Sequence, residues 1–307
     1  MPKLFVATLG RGLLRSDDLG RTWTTDPGVP ATARLHALHA GPCDLAVGGE
    51  GTVYRYRDRA WSPMLPLGGS DAVSAITLVA GAVLAGVDRR GLLRSGPTGL
   101  EWEPLGPVLP PASPGHPLAR VSALLPNPAM ARELWAAVES AGVFASDDGG
   151  LAWSPANDAL ASLDVHALAW SSGGILVAGT SAGVAVWRSA RWVEGRLDDR
   201  LDRAERCCRA LAGRPDDPGT LYCGVGSAAG GRGTVAVSRD GGRSWSACAL
   251  PGEPAPIRAV GTGAELPGLV VAASTPGEVY VSLDAAATWR HVLSTGMETT
   301  AVACLAD

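Results

Sequence analysis

Ser16-Asp17-Asp18-Leu19-Gly20-Arg21-Thr22-Trp23 is the stretch whose reading decides the fold. It returns as Ser146-Asp147-Asp148-Gly149-Gly150-Leu151-Ala152-Trp153 and as Ser238-Arg239-Asp240-Gly241-Gly242-Arg243-Ser244-Trp245. A worn copy runs from Ser282 through Asp284 to Trp289. The shared pattern is Ser-x-Asp-x-Gly-x-Thr-Trp. Each copy follows a short apolar strand and ends in a tryptophan that opens another, so each reads as a hairpin connection. A carboxylate in such a turn accepts backbone N–H groups. Glycine supplies the positive φ of the reversal, and tryptophan buries a large apolar face. Asp18, Asp148 and Asp240 could instead be catalytic or metal-binding carboxylates. Repetition favours the turn lock, because chemistry needs one site and turns need many.

The tryptophans count the repeat. Trp23, Trp61, Trp102, Trp153, Trp192, Trp245 and Trp289 follow one another at intervals of roughly 40 to 50 residues, a period that suits one four-stranded propeller blade. Trp61 and Trp192 follow short hairpins that have lost the box, and Trp102 follows a remnant at Ser95–Glu101. Two further strands precede each box. The inner one reads as Leu35-His36-Ala37-Leu38, Val73-Ser74-Ala75-Ile76, Val121-Ser122-Ala123-Leu124, Val165-His166-Ala167-Leu168, Cys208-Arg209-Ala210-Leu211 and Ile257-Arg258-Ala259-Val260. The first unit lacks this strand, and Val302-Ala303-Cys304-Leu305 at the far end supplies it. The expectation is an all-β, seven-bladed β-propeller of four-stranded antiparallel blades, one domain over residues 1–307. Its last strand joins the first blade and so removes exposed edges.

The box resembles the Asp-box, or BNR repeat, of sialidases and many other β-propellers, and the blade count resembles that of the photosystem II assembly factor. In such propellers the loops entering the inner strands and the loops between the second and third strands share one mouth, with the boxes on the opposite face. The resemblance therefore implies a mouth ring of Ala303, His36, Ser74, Ser122, His166, Arg209 and Arg258, preceded by Arg34, Arg120 and Asp164. The second-to-third loops add Arg11, Glu50, Asp88, Arg89, Arg90, Glu139, Ser140, Thr180, Ser181 and Arg232. Arg11, Arg209 and Arg258 come from adjacent blades, and clustered guanidiniums suit capture of a carboxylate or phosphate. His36 and His166, from blades two and five, are expected to face each other across the channel and to tune that site.

The catalytic set of sialidases is not found. No arginine near the start precedes Ile-Pro, and none of the four tyrosines occupies an inner-strand mouth position. Other glycosidases on such propellers use a carboxylate pair, for which Glu50 and Glu139 are the candidates. No nucleophile elbow, P-loop, zinc-ligand spacing or dinucleotide fingerprint occurs, so neither cofactor nor metal is expected. The reading is a non-catalytic propeller that binds a partner protein or a carboxylate-bearing ligand at its mouth, with a glycoside hydrolase as the alternative.

The chain of 307 residues carries a formal net charge of −4, so its overall field carries no nucleic-acid footprint. No apolar run is long enough to span a bilayer. The N-terminus enters a strand directly without leader features, so the expected location is cytoplasmic, with a monomer as the default. The six cysteines show no metal-type spacing and are expected to be buried thiols. Residues 195–206 place Leu197, Leu201 and Ala204 at helical spacing, which predicts a short helix with one apolar stripe.

Overall fold

The computed structural model describes all residues except 42–43, 65, 67–69, 97–98, 100, 107–119, 228–229, 253 and 307. Cys43, much of the Ser95–Glu101 remnant and the proline-rich connection with Pro107, Pro110, Pro111, Pro114 and Pro117 thus lie wholly or partly outside the described residues.

Seven sheets of four antiparallel strands form a ring. Six blades follow chain order from inside to outside, and their inner strands are Leu35–Ala40, Val73–Val79, Val121–Asn127, Val165–Trp170, Cys207–Gly213 and Ile257–Thr262. The remaining blade takes its inner strand from the end of the chain. Thr299–Leu305 pairs with Lys3–Thr8, matching Lys3 with Leu305 and Phe5 with Ala303. Every strand of this ring has a neighbour within a blade, and the first and last residues seal one another.

The blades pack through small residues. A side chain on Gly48 would place its Cβ 2.4 Å from Val73 of the next blade, and one on Gly179 would meet the Cys208 sulfur at 2.5 Å. Second strands accordingly carry a small residue, Gly48, Gly86, Gly179 or Gly224, beside the start of the next inner strand. Buried valines, leucines and alanines of the two middle strands fill the seams between blades.

The four boxes are turn locks. In the first, the Ser16 hydroxyl donates to Asp18 Oδ1 (2.8 Å) and accepts the Gly20 N–H (2.9 Å). Asp18 also receives the Thr22 N–H (2.9 Å) and hydroxyl (2.6 Å), and the Trp23 indole donates to the Gly20 carbonyl (3.2 Å). Ser146, Asp148, Gly150 and Trp153 repeat this, as do Ser238, Asp240, Gly242 and Trp245. Asp284 keeps the serine and threonine bonds, whereas the Trp289 indole nitrogen has no oxygen acceptor among the described residues and lies against the Cys248 thiol. Here Ala286 stands where the other boxes have glycine, at φ 68°. These bonds hold the aspartates well below the usual carboxylate range, Asp18 at about 2 chiefly through the Thr22 hydroxyl.

Where the box is missing, the turn is tighter. Asp58-Arg59 and Ser189-Ala190 form two-residue hairpins between the pairs Arg57–Ala60 and Arg188–Arg191, with all four central residues at positive φ. That is the primed-turn geometry that matches strand twist, made here without glycine.

Residues 195–206 do not form the expected helix. Leu197 and Leu201 are buried between blades five and six, but only Arg203–Glu205 forms one 3-10 turn and Ala204 is exposed. The Asp198 carboxylate takes the N–H groups of Arg200 (2.9 Å) and Ala247 (2.9 Å), while Arg196 bridges to Ser244. A side chain that captures backbone donors in this way competes with helix formation. Cys207, Cys208 and Cys223 are buried free thiols, and Cys248 and Cys304 are partly covered ones.

Candidate functional site

Every inner strand begins with a β-bulge. The pairing register skips one residue in each blade: Thr300, His36, Ser74, Ser122, His166, Arg209 and Arg258. A bulge leaves its extra residue out of the ladder and re-aims the side chain, so seven side chains form one collar. Six of them are the x positions of the inner-strand pattern, an apolar residue followed by x and Ala. The seventh differs: Thr300, not Ala303, belongs to the collar, because Ala7 pairs with Ala301 and Thr8 with Thr299. Ala303 sits three residues deeper, opposite Phe5.

The loops share the mouth as the resemblance implied. Asp88, Glu139, Ser181 and Thr275 donate their N–H groups to the carbonyls of Ala72, Arg120, Asp164 and Pro256, the segments that enter the inner strands. The boxes lie at the other end, where Gly149, Gly241 and Ala285 donate to the stretches that follow the inner strands, at Arg132, Gly219 and Gly268.

The collar divides by chemistry. Its hydroxyls are structural. Thr300 donates to Leu35 O (2.9 Å) and Ser122 to Val165 O (2.6 Å), each reaching the next blade, and Ser74 donates to Gly86 O (3.3 Å). Its basic members face a rim of carboxylates. His36 Nε2 lies 3.8 Å from Glu50, His166 Nε2 lies 3.6 Å from Asp164, and Arg258 lies 3.6 Å from Glu298. Arg120 spans Asp88 (3.9 Å) and Glu139 (3.7 Å), Arg34 binds Glu50 (2.8 Å), and Arg89 binds Asp71. Arg209 is different: it faces the Cys207 thiol and, among the described residues, has no carboxylate within ion-pairing distance.

Charge is concentrated where Arg209 stands. Burial pushes the Arg258 guanidinium below its ordinary value; Glu298 opposes this, and Arg209 and Arg120 add to it. Burial also holds His166 below the usual imidazole range, against Asp164 and with help from Arg209 and Arg258. His36 is lowered by burial against Glu50. His36 Nε2, Asp88 Oδ1, Arg120 Nε and His166 Nε2 are buried atoms without a hydrogen-bond partner among the described residues.

The structure thus brings Arg209, Arg258 and His166 into one electrostatic neighbourhood. His36 stands apart in blade two. Arg11 is exposed, and its guanidinium donates to the Thr295 carbonyl (2.6 Å). Glu50 and Glu139 are each engaged by a different arginine, Arg34 and Arg120. Glu298 and Asp71 are rim residues that the sequence reading missed. Glu298 precedes the bulged strand as Arg34 and Asp164 do in spirit of position, and starting the final strand at Thr299 would have found it.

Below the collar lies an axial channel of about 740 Å³. Among its lining residues there is no Asp, Glu, Lys or Arg. On the rim of blade seven, Ser294, His291 and Glu278 cluster, but Ser294 and Glu278 both meet the same imidazole nitrogen, Nε2. A relay needs acid and nucleophile on opposite ring nitrogens, so this cluster is not one.

No known protein family and no curated protein matches the sequence. Solved structures do match in fold. YCF48 bound to a D1 peptide is 18% identical with a TM-score of 0.57, over 84% of this chain and 82% of that one. YCF48 from Cyanidioschyzon merolae is 18% identical with a TM-score of 0.57, over 86% of each chain. An ancestral GH74 enzyme gives a TM-score of 0.62 at 15% identity, over 89% of this chain but only 38% of its own. At these identities the likeness establishes the seven-bladed fold and leaves activity to the site.

Proposed function

We propose that this chain is a non-catalytic propeller of the Asp-box type that captures a carboxylate at its mouth, presented by a partner protein or carried by a small ligand. The observation that carries the reading is Arg209, a guanidinium with no carboxylate partner among the described residues, on the inner strand between those of Arg258 and His166. A guanidinium in such a place offers paired N–H donors to a planar anion. YCF48, which shares the fold, is seen holding a peptide. The glycoside-hydrolase reading draws on the GH74 likeness, but its best pair, Glu50 and Glu139, is already engaged by Arg34 and Arg120.

The test is capture from the native host with the wild type and with the double variant Arg209→Ala/Arg258→Ala. Partners or ligands lost by the variant support the reading. Recovery that is unchanged, or turnover of glycosides abolished by Glu50→Gln or Glu139→Gln, overturns it.

A further inference from the structure

Of the large apolar side chains exposed among the described residues, two stand at the mouth: Leu163, 45% exposed, and Met297, 37% exposed. They hold equivalent places. Leu163 lies three residues before the bulge at His166, and Met297 three residues before the bulge at Thr300. The same place holds Ala33 in blade two, Asp71 in blade three, Arg206 in blade six and Ala255 in blade seven. Both apolar side chains rise from backbone that is already fixed. The Leu163 carbonyl accepts the Val165 N–H (3.1 Å), and the Ser162 hydroxyl beside it accepts the Asp164 N–H (3.2 Å) and meets the Ser181 hydroxyl (2.8 Å). The Thr295 hydroxyl accepts the Met297 N–H (3.1 Å) and donates to the Met297 carbonyl (2.6 Å). A backbone ordered in advance lowers the entropy cost of covering such side chains. Ring order decides what lies between them. The inner strands of blades five, six, seven and one are consecutive neighbours, so Arg209 and Arg258 occupy the two blades between Leu163 and Met297.

We propose that this half of the mouth is a docking surface for an extended segment of a partner protein, one that carries an acidic side chain with a large apolar residue on either side. The acidic side chain meets Arg209 and Arg258, and the apolar residues cover Leu163 and Met297. The inference rests on the carboxylate reading of the mouth and adds the kind of partner. Complementarity chooses the occupant. A small carboxylate uses the arginines and leaves both apolar side chains in water. A C-terminal carboxylate on the arginines brings its chain in from one side and covers only one of them.

The probes are acetylated, amidated peptides in which two, three or four serines separate a central glutamate from a leucine on either side. Each arm then spans roughly 10 to 17 Å when extended. Binding to the full-length chain is read by fluorescence anisotropy and confirmed by calorimetry. At least one spacing should bind, and its glutamine form should bind about tenfold more weakly. Leu163→Ser and Met297→Ser should each weaken the intact peptide about fivefold, and each should matter less once the peptide has lost a leucine. Met297→Leu, and Leu283→Ser on the box face, should leave affinity unchanged, which separates a lost contact from a misfolded chain. No binding at any spacing overturns the docking surface. Equal affinity with serine in place of both leucines, or for a peptide that ends at the glutamate, also overturns it and leaves the mouth reading standing. Peptides that bind Arg209→Ala/Arg258→Ala undiminished overturn the mouth reading itself.

Discussion

The Thr300 hydroxyl donates to the carbonyl of Leu35 at 2.9 Å, from the blade closed by the two ends of the chain to the next blade. Ser122 makes the same reach to Val165 three blades on. A hydrogen bond of this kind contributes about 1 kcal/mol, and a buried acceptor left alone costs more. Thr300→Val should therefore lower unfolding stability by about 1 to 2 kcal/mol, read from urea denaturation. Thr300→Ser should recover most of it, and a Thr300→Val protein as stable as the wild type refutes the staple.

Gly48 has no room for a methyl group beside Val73. Gly48→Ala should cost roughly 1–3 kcal/mol through overpacking. Pairing it with Val73→Ala should return part of the loss, and a double-mutant cycle measures the coupling.

Ser189 and Ala190 both sit at positive φ, 49° and 60°. Left-handed backbone costs non-glycine residues roughly 1–2 kcal/mol each, and Asn-Gly is the favoured filling of such a turn. Ser189→Asn/Ala190→Gly should raise the melting temperature. A fall would mean that those side chains contribute contacts that outweigh the relief.

Asp18 is held at about 2 by the Thr22 hydroxyl and by neighbouring donors. Because its folded value is depressed, its contribution is present above the ordinary carboxylate range and disappears as pH falls through about 2. The difference in melting temperature between wild type and Asp18→Asn should be full above pH 4 and vanish near pH 2. A difference independent of pH would assign the effect to shape alone.

His166 is largely neutral at pH 7, because burial outweighs Asp164 and the cations Arg209 and Arg258 add to the lowering, with Glu139 opposing. An anion bound beside it favours protonation, so binding takes up a proton and strengthens as pH drops below the ordinary imidazole range. His166→Gln should flatten the profile. Affinity that weakens on acidification contradicts the placement of the anion.

The blades were legible because the same physics is written many times. Three boxes set serine, aspartate, glycine and tryptophan at one spacing, the fourth puts Ala286 in the glycine's place, and six inner strands show the bulge as an apolar residue followed by x and Ala. The collar followed from that pattern in six blades. It slipped in the first, where Thr299-Thr300-Ala301 has no apolar residue to mark the start and Val302 offered a false one. Ion pairing was not legible, since Arg258 meets Glu298 and Arg120 spans Asp88 and Glu139 only once blades are side by side. The helix expected at 195–206 failed because spacing records which leucines are buried and not which backbone donors Asp198 removes.

Pairing of Lys3 with Leu305 has a consequence for biosynthesis. A ribosome delivers the strand that completes the first blade after every other strand of the ring, so the nascent protein waits with an unsatisfied flank until Thr299–Leu305 has emerged. Any chain that stops before Thr299 leaves that flank bare, whatever else it has completed.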